Sequence, residues 1–211
     1  MKKKRTKSGK AADVCVLVSG GLDSCVLVAE LAKQYRKVYP VYVRQGLVWE
    51  RAELRHLRRY LRATRIGALA VLDLPVVDLY GKHWSTTGRR VPGANTRDEA
   101  VCLPGRNLML LSKAAVFSKL HDIPTIAIGT LGHNPFPDAT PEFFRDFSCV
   151  SGVRVIAPFR SLTKTQVVRR GRELPLHLSF SCIAPKHGRP CGRCNKCAER
   201  LRALREAGVV L

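Results

Sequence analysis

Two groups of residues in this sequence carry types and spacings suited to chemistry. The first is Ser19-Gly20-Gly21-Leu22-Asp23-Ser24. Paired glycines let a backbone turn tightly, so that consecutive amides and the start of a helix can face one anion, and the two serines add hydroxyl donors. No Gly-Lys-Ser/Thr follows and the spacing is not G-x-G-x-x-G, so neither common nucleotide-binding fingerprint applies. The bland alternative is an ordinary glycine-rich turn from strand to helix. The second group is Cys182, Cys191, Cys194 and Cys197, spaced C-x8-C-x2-C-x2-C. Four thiolates in a tight turn suit tetrahedral Zn²⁺ with no open position, which means a structural ion. An iron–sulfur cluster and a pair of disulfides are the competing readings. Cys15, Cys25, Cys102 and Cys149 are scattered, the first two within apolar runs where cysteine behaves as a small buried hydrophobe.

These groups need elements to hold them. Asp13–Val18 is a short continuous apolar run, expected as a strand buried on both faces, and the glycine-rich loop leads from it into a helix from Ser24 to about Tyr35. Further strands are expected at 37–44, within 68–77, at 124–129 and at 153–158. Helices are expected at 50–65, 107–120 and 163–172, the last capped by Thr163. Residues 80–104, rich in Gly, Pro, Thr and Arg, read as loop. Strands alternating with helices imply an α/β fold of the Rossmann-like kind, with a mainly parallel sheet and helices on both faces. The division expected is a basic flexible tail at 1–11, a nucleotide-binding domain at 12–175, and a zinc-binding element at 176–211 packed on the same domain. Ligands in such folds lie at the carboxyl ends of the strands, so the loops after the first, second and fourth strands should meet at the site.

Charge adds one more pointer. Thirty-seven Lys and Arg against sixteen Asp and Glu in 211 residues leave +21. That excess favours an anionic partner, whether nucleotide, nucleic acid or acidic metabolite, against the alternative of a merely solvated basic surface. No stretch approaches the ~20 apolar residues of a membrane span, and the basic start lacks the apolar run of a secretory signal. A cytoplasmic protein with reduced cysteines is expected.

The hexapeptide Ser19–Ser24 resembles the pyrophosphate loop of the N-type ATP pyrophosphatases, the adenine nucleotide alpha hydrolase-like group that includes GMP synthetase, NAD synthetase and tRNA thiolation enzymes. Together with the cysteines the likeness narrows to the 7-cyano-7-deazaguanine synthase family. It is carried by Ser19–Ser24, by Leu103-Pro104-Gly105-Arg106-Asn107, by Pro137-Asp138-Ala139-Thr140-Pro141-Glu142-Phe143, and by Ser181-Cys182 with Cys191-Gly192-Arg193-Cys194-Asn195-Lys196-Cys197-Ala198-Glu199-Arg200. One stretch departs. The family has a Ser-Gly-Tyr-like lead and a second Cys-Arg in its P-D-x-x-P-E-F motif, where this chain has His133-Asn134-Pro135-Phe136 and Ala139-Thr140.

The resemblance implies ATP-dependent conversion of 7-carboxy-7-deazaguanine and ammonia to the nitrile through adenylated intermediates, with Mg²⁺ and structural Zn²⁺. It assigns Ser19, Gly20, Gly21, Leu22, Asp23 and Ser24 to the pyrophosphate, with Asp23 beside Mg²⁺. Asp23, Ser24, Arg106 and Lys164 form the expected catalytic set, the last two as cations for phosphate or carboxylate oxygens. Lys164 opens a helix, where a cation is disfavoured, so an anion is expected beside it. Tyr42, Val43 and Gly129 lie at strand ends suited to lining an adenine pocket. Asp138 is the candidate for the amidine edge of the base, against a local turn role, with Glu142 and Arg106 as further substrate contacts. Asn107 has a helix-cap alternative, Trp49 and Trp84 suit either base stacking or packing, and His133 suits either packing or ligation. The family likeness also points to self-association. Two other readings stand beside this one: a related pyrophosphatase acting on tRNA or another macromolecule, and a non-enzymatic zinc module that binds nucleic acid.

Overall fold

The computed structural model describes residues 12–132 and 134–210; the tail and His133 lie outside the described residues. In chain order the elements are β1 (Val14–Leu17), α1 (Leu22–Gln34), β2 (Val38–Arg44), α2 (Glu50–Thr64), β3 (Ala70–Asp73), α3 (Val77–Tyr80), α4 (Trp84–Thr87), α5 (Arg106–Leu120), β4 (Thr125–Ala127), α6 (Pro141–Ser151), β5 (Arg154–Ile156), α7 (Lys164–Arg170) and α8 (Asn195–Ala207). The strands form one parallel sheet in the order β3-β2-β1-β4-β5.

β1 is central, and Val14, Cys15 and Val16 are wholly buried, as a strand covered on both faces requires. On one face α1, α2, α7 and α8 pack through Leu27, Leu57, Tyr60, Val167 and Leu204. On the other α5 and α6 pack through Leu111, Ala114 and Phe144. Cys15 and Cys25 are fully buried, and burial pushes both thiols far up from their ordinary range, Cys15 to about 12. They are core atoms with no reactivity.

Several boundaries differ from the sequence reading for local reasons. Within the apolar run at 68–77 only Ala70–Asp73 is strand; the Leu74 and Val76 amides on either side of Pro75 still donate to the Arg44 and Gln45 carbonyls, and Val77 opens the short α3. The loop at 80–104 holds α4 and a single 3-10 turn at Asp98–Val101. α6 lies in the stretch read above only as a motif: Pro141 opens it and the Thr140 hydroxyl accepts from the Phe143 amide. Thr163 caps α7 as expected, and its partner Gln166 completes a capping box.

Candidate active site

The loop after β1 is held by contacts that its residue types dictate. Gly20 has φ +76°, and a Cβ there would lie 3.2 Å from the Leu57 Cβ and 3.3 Å from the Glu53 carbonyl oxygen, so only glycine fits. Its carbonyl accepts from the Phe180 amide at 2.7 Å, which ties the loop to the cysteine-bearing segment. The Ser19 and Ser24 hydroxyls lie 3.2 Å apart, and the Ser24 Oγ accepts from the Ser19 amide. Two hydroxyls thus sit side by side at the N-terminus of α1.

A cavity of about 460 Å³ opens at the carboxyl ends of the strands, a size typical of small-molecule sites at roughly 300–1,000 Å³. It brings together most of the residues singled out from the sequence: Ser19, Gly21, Asp23 and Ser24 from the loop, Tyr42 and Val43 from the end of β2, and Gly129 after β4. Arg106, Asp138 and Lys164 complete that set. Of the residues assigned to pyrophosphate, adenine, catalysis or substrate, three do not line it. Gly20 turns its back to α2, Leu22 is buried in the core, and Glu142 stands exposed in the first turn of α6, where its charge complements the helix dipole.

The anion expected beside Lys164 is supplied by the chain itself. Lys164 Nζ donates to Asp23 Oδ2 and to Glu199 Oε1, each at 2.9 Å, and Lys196 Nζ donates to Glu199 Oε2 at 2.9 Å. Burial works against the Lys164 ammonium, but the two carboxylates outweigh it and raise its pKa. Burial likewise disfavours the Glu199 carboxylate, yet Lys164 and Lys196 hold its pKa down to about 2. Asp23 Oδ1 is buried without a partner, an orphaned acceptor in an ionised site.

Arg106 reaches from the first turn of α5 and its Nε donates to Gln45 Oε1 at 3.1 Å, which leaves the rest of the guanidinium to the cavity. Asp138 lines the cavity and also binds the start of α5. Its Oδ2 accepts from the Asn107 backbone amide at 2.8 Å and its Oδ1 from Asn107 Nδ2 at 3.3 Å. Asn107 is therefore the capped residue and Asp138 the cap, joining the Pro137–Ala139 turn to the start of α5. Trp49 and Trp84 stack on each other at 5.7 Å within a cluster beneath the cysteines, so packing explains both.

Glu53 and the α8 pair Lys196 and Glu199 line the cavity although the sequence reading named none of them as site residues. Glu53 is buried and its Oε2 accepts from Tyr42 Oη at 2.7 Å. Burial pushes its pKa up to about 7 against the opposing pull of Arg106 and the tyrosine hydroxyl. The available signal was an acid on the apolar stripe of α2, one residue before Leu54 and four before Leu57.

The four cysteine sulfurs lie within 4.8 Å of one another, with Cys182 and Cys194 at 3.9 Å. A tetrahedral ion with bonds of about 2.3 Å sets sulfurs about 3.8 Å apart, so this donor set fits a single metal ion. Cys194 caps α8 and Cys197 lies in its first turn, which makes the cluster the anchor of the helix that carries Lys196 and Glu199.

Residues 13–208 match the family described as queuosine biosynthesis protein QueC. Curated relatives named 7-cyano-7-deazaguanine synthase include one from Methanothermobacter thermautotrophicus, 32% identical with 92% of this chain and 94% of the relative covered. Another, from Leptospira interrogans, is 27% identical with 92% and 87% covered. Among solved structures, a predicted subunit of tRNA methyltransferase from Methanocaldococcus jannaschii aligns with TM-score 0.52 at 17% identity, covering 77% of this chain and 76% of that one. The U34-tRNA thiolase NcsA from Methanococcus maripaludis, solved with its [4Fe-4S] cluster, aligns with TM-score 0.51 at 14% identity, covering 92% and 64%. At such identities the structures establish a shared fold. The sequence match over nearly all the described residues establishes more: the chain belongs to the QueC family of queuosine biosynthesis proteins.

Proposed function

We propose that this protein makes 7-cyano-7-deazaguanine from the 7-carboxy acid and ammonia at the expense of two ATP. The observation that carries this reading is the gathering of the Ser19–Ser24 loop, Arg106 and the Lys164 ammonium on one cavity in a chain of this family. A carboxylate oxygen is a poor leaving group. Attack of that oxygen on the α-phosphorus of ATP expels pyrophosphate and makes the acyl carbon electrophilic. Ammonia then displaces AMP and loses a proton, giving the amide. The amide oxygen attacks a second ATP, and departure of the second AMP with two protons from nitrogen leaves the nitrile.

Positioning and charge neutralisation suffice for this sequence of steps, and no side-chain nucleophile is needed. In this reading the Gly21 amide and the paired hydroxyls of Ser19 and Ser24 hold the departing pyrophosphate at the α1 N-terminus. Arg106 binds the acid, and Tyr42, Val43 and Gly129 border the adenine. Asp23 Oδ1, lacking any partner, suits Mg²⁺, which when bound would neutralise phosphate charge. Lys164 then exchanges Asp23 for a phosphate oxygen while Glu199 keeps it in place. The cysteines hold Zn²⁺ as a structural ion, and their reduced state fits a cytoplasmic setting.

Incubation of the purified protein with the acid, ATP, Mg²⁺ and ammonium, followed by mass spectrometry, tests the proposal. The expected product is the nitrile together with AMP. If AMP instead forms only when tRNA or another macromolecule is added, the acceptor is that macromolecule and this reading is wrong.

A further inference from the structure

The cavity absorbs few of the cations behind the +21 charge, and the remainder is not evenly spread. Five arginines, Arg51, Arg55, Arg58, Arg59 and Arg62, are exposed on α2, and the one other exposed position on that helix is Ala63. Both acids of α2, Glu50 and Glu53, are buried. Arg55 Nη2 donates to the Gly188 carbonyl at 3.0 Å, which docks against α2 a tight turn closed by mutual backbone hydrogen bonds between Lys186 and Arg189. That turn adds exposed Lys186 and Arg189, and Arg193 stands exposed just beyond it. Elsewhere several exposed cations have acidic partners: Arg36 with Asp13, Arg44 with Asp73, Arg170 with Glu30 and Arg172 with Glu173. Among the described residues no carboxylate pairs with any cation of the α2 face or the adjoining turn.

From this face we infer a second binding function: α2 and the Lys186–Arg189 turn dock a nucleic-acid strand through its phosphates, without reading sequence. Arg51, Arg55, Arg58 and Arg62 recur at intervals of four, three and four, so they form one stripe along the helix about 16 Å long. A strand presents roughly five phosphates over that length. Guanidinium groups match phosphate oxygens in paired hydrogen bonds, which a lysine-rich solvated face would not offer. A lipid surface fits less well, because the exposed side of α2 has no large apolar side chain to insert.

Fluorescence anisotropy with a labelled single-stranded 20-nucleotide RNA, and with DNA of the same sequence, tests the inference. Both should bind, with affinity falling steeply as salt rises. R51E/R58E/R62E, which spares the Arg55–Gly188 contact, should weaken binding about 100-fold and flatten the log–log salt slope by about 2, the change for three lost contacts to a single strand. The neutral variant R51Q/R58Q/R62Q should show the same trend and guards against misfolding by charge reversal. K33E/K113E/K119E, with an equal change in net charge on other helices, should bind much as wild type does. Absence of binding to either strand would overturn the inference. So would equal losses in the two reversal variants, or retention on phosphatidylserine vesicles that depends on the α2 arginines while RNA binding does not. Formation of nitrile and AMP from the small acid is measured separately, so failure here leaves that reading untouched.

Discussion

Lys164 and Asp23, 141 positions apart in sequence, meet at 2.9 Å beside the loop that follows β1, and the second oxygen of that carboxylate has no partner. The pair occupies the place where the proposed reaction concentrates its charge. Asp23→Asn removes the charge with little change of shape. It should leave the fold intact and lower turnover at least 100-fold, with Mg²⁺ dependence shifted to higher concentration. Circular dichroism and steady-state kinetics over a Mg²⁺ series check this; normal turnover in the variant would remove Asp23 from the mechanism.

Glu199 holds Lys164 from the other side, and its pH dependence has a definite sign. Its folded pKa of about 2 lies below the ordinary carboxylate value near 4.5, so ionised Glu199 stabilises the fold above pH 4.5. That contribution should vanish as pH falls from about 4.5 towards 2. Thermal unfolding of wild type and Glu199→Gln across this range should show the two melting curves converging at the acid end. A constant gap would mean that the carboxylate charge does not matter.

Glu53 has the opposite sign. Burial raises its folded pKa to about 7, so its ionisation opposes folding increasingly as pH rises through 4.5 towards 7. Glu53→Gln, which can still accept from Tyr42, should be more stable than wild type at pH 8 by up to roughly 3 kcal/mol. The advantage should disappear by about pH 4.5. Denaturant unfolding at the two pH values reads this directly.

Asp138 caps Asn107 across 31 residues. Asp138→Ala should therefore cost about 1 kcal/mol of stability, the usual loss for a capping side chain. A normal melting temperature combined with a raised KM for the acid alone would restore Asp138 to direct substrate recognition.

The cysteine cluster should hold one zinc ion per chain, measured by metal analysis of protein purified without added metal. Cys194→Ser should release it and reduce turnover, because α8 then loses its anchor and Glu199 its fixed distance to Lys164. Iron with visible absorption would contradict the assignment.

The parts of this site legible from sequence are those whose chemistry is local. Asp13–Val18 reads as a buried strand because every side chain in it is apolar apart from its first residue. Ser19–Ser24 reads as an anion loop because its glycines and hydroxyls act within six residues, and the cysteines are legible because spacing alone brings them together. The partners of Lys164 were not legible. Asp23 and Glu199 reach it only after α1, α7 and α8 have packed on one face of the sheet. The bond from Asp138 to Asn107 was not legible for the same reason, since the two lie 31 residues apart in sequence and meet only when α5 is in place.

The central claim is that both carboxyl oxygens of the acid leave on AMP. Conversion of the acid carrying ¹⁸O in both carboxyl positions, followed by mass spectrometry of nitrile and AMP, tests it most directly. The account predicts two AMP per nitrile, each with one ¹⁸O in its phosphate, and a nitrile free of label. Label released to water, or nitrile formed with fewer than two AMP, would contradict it.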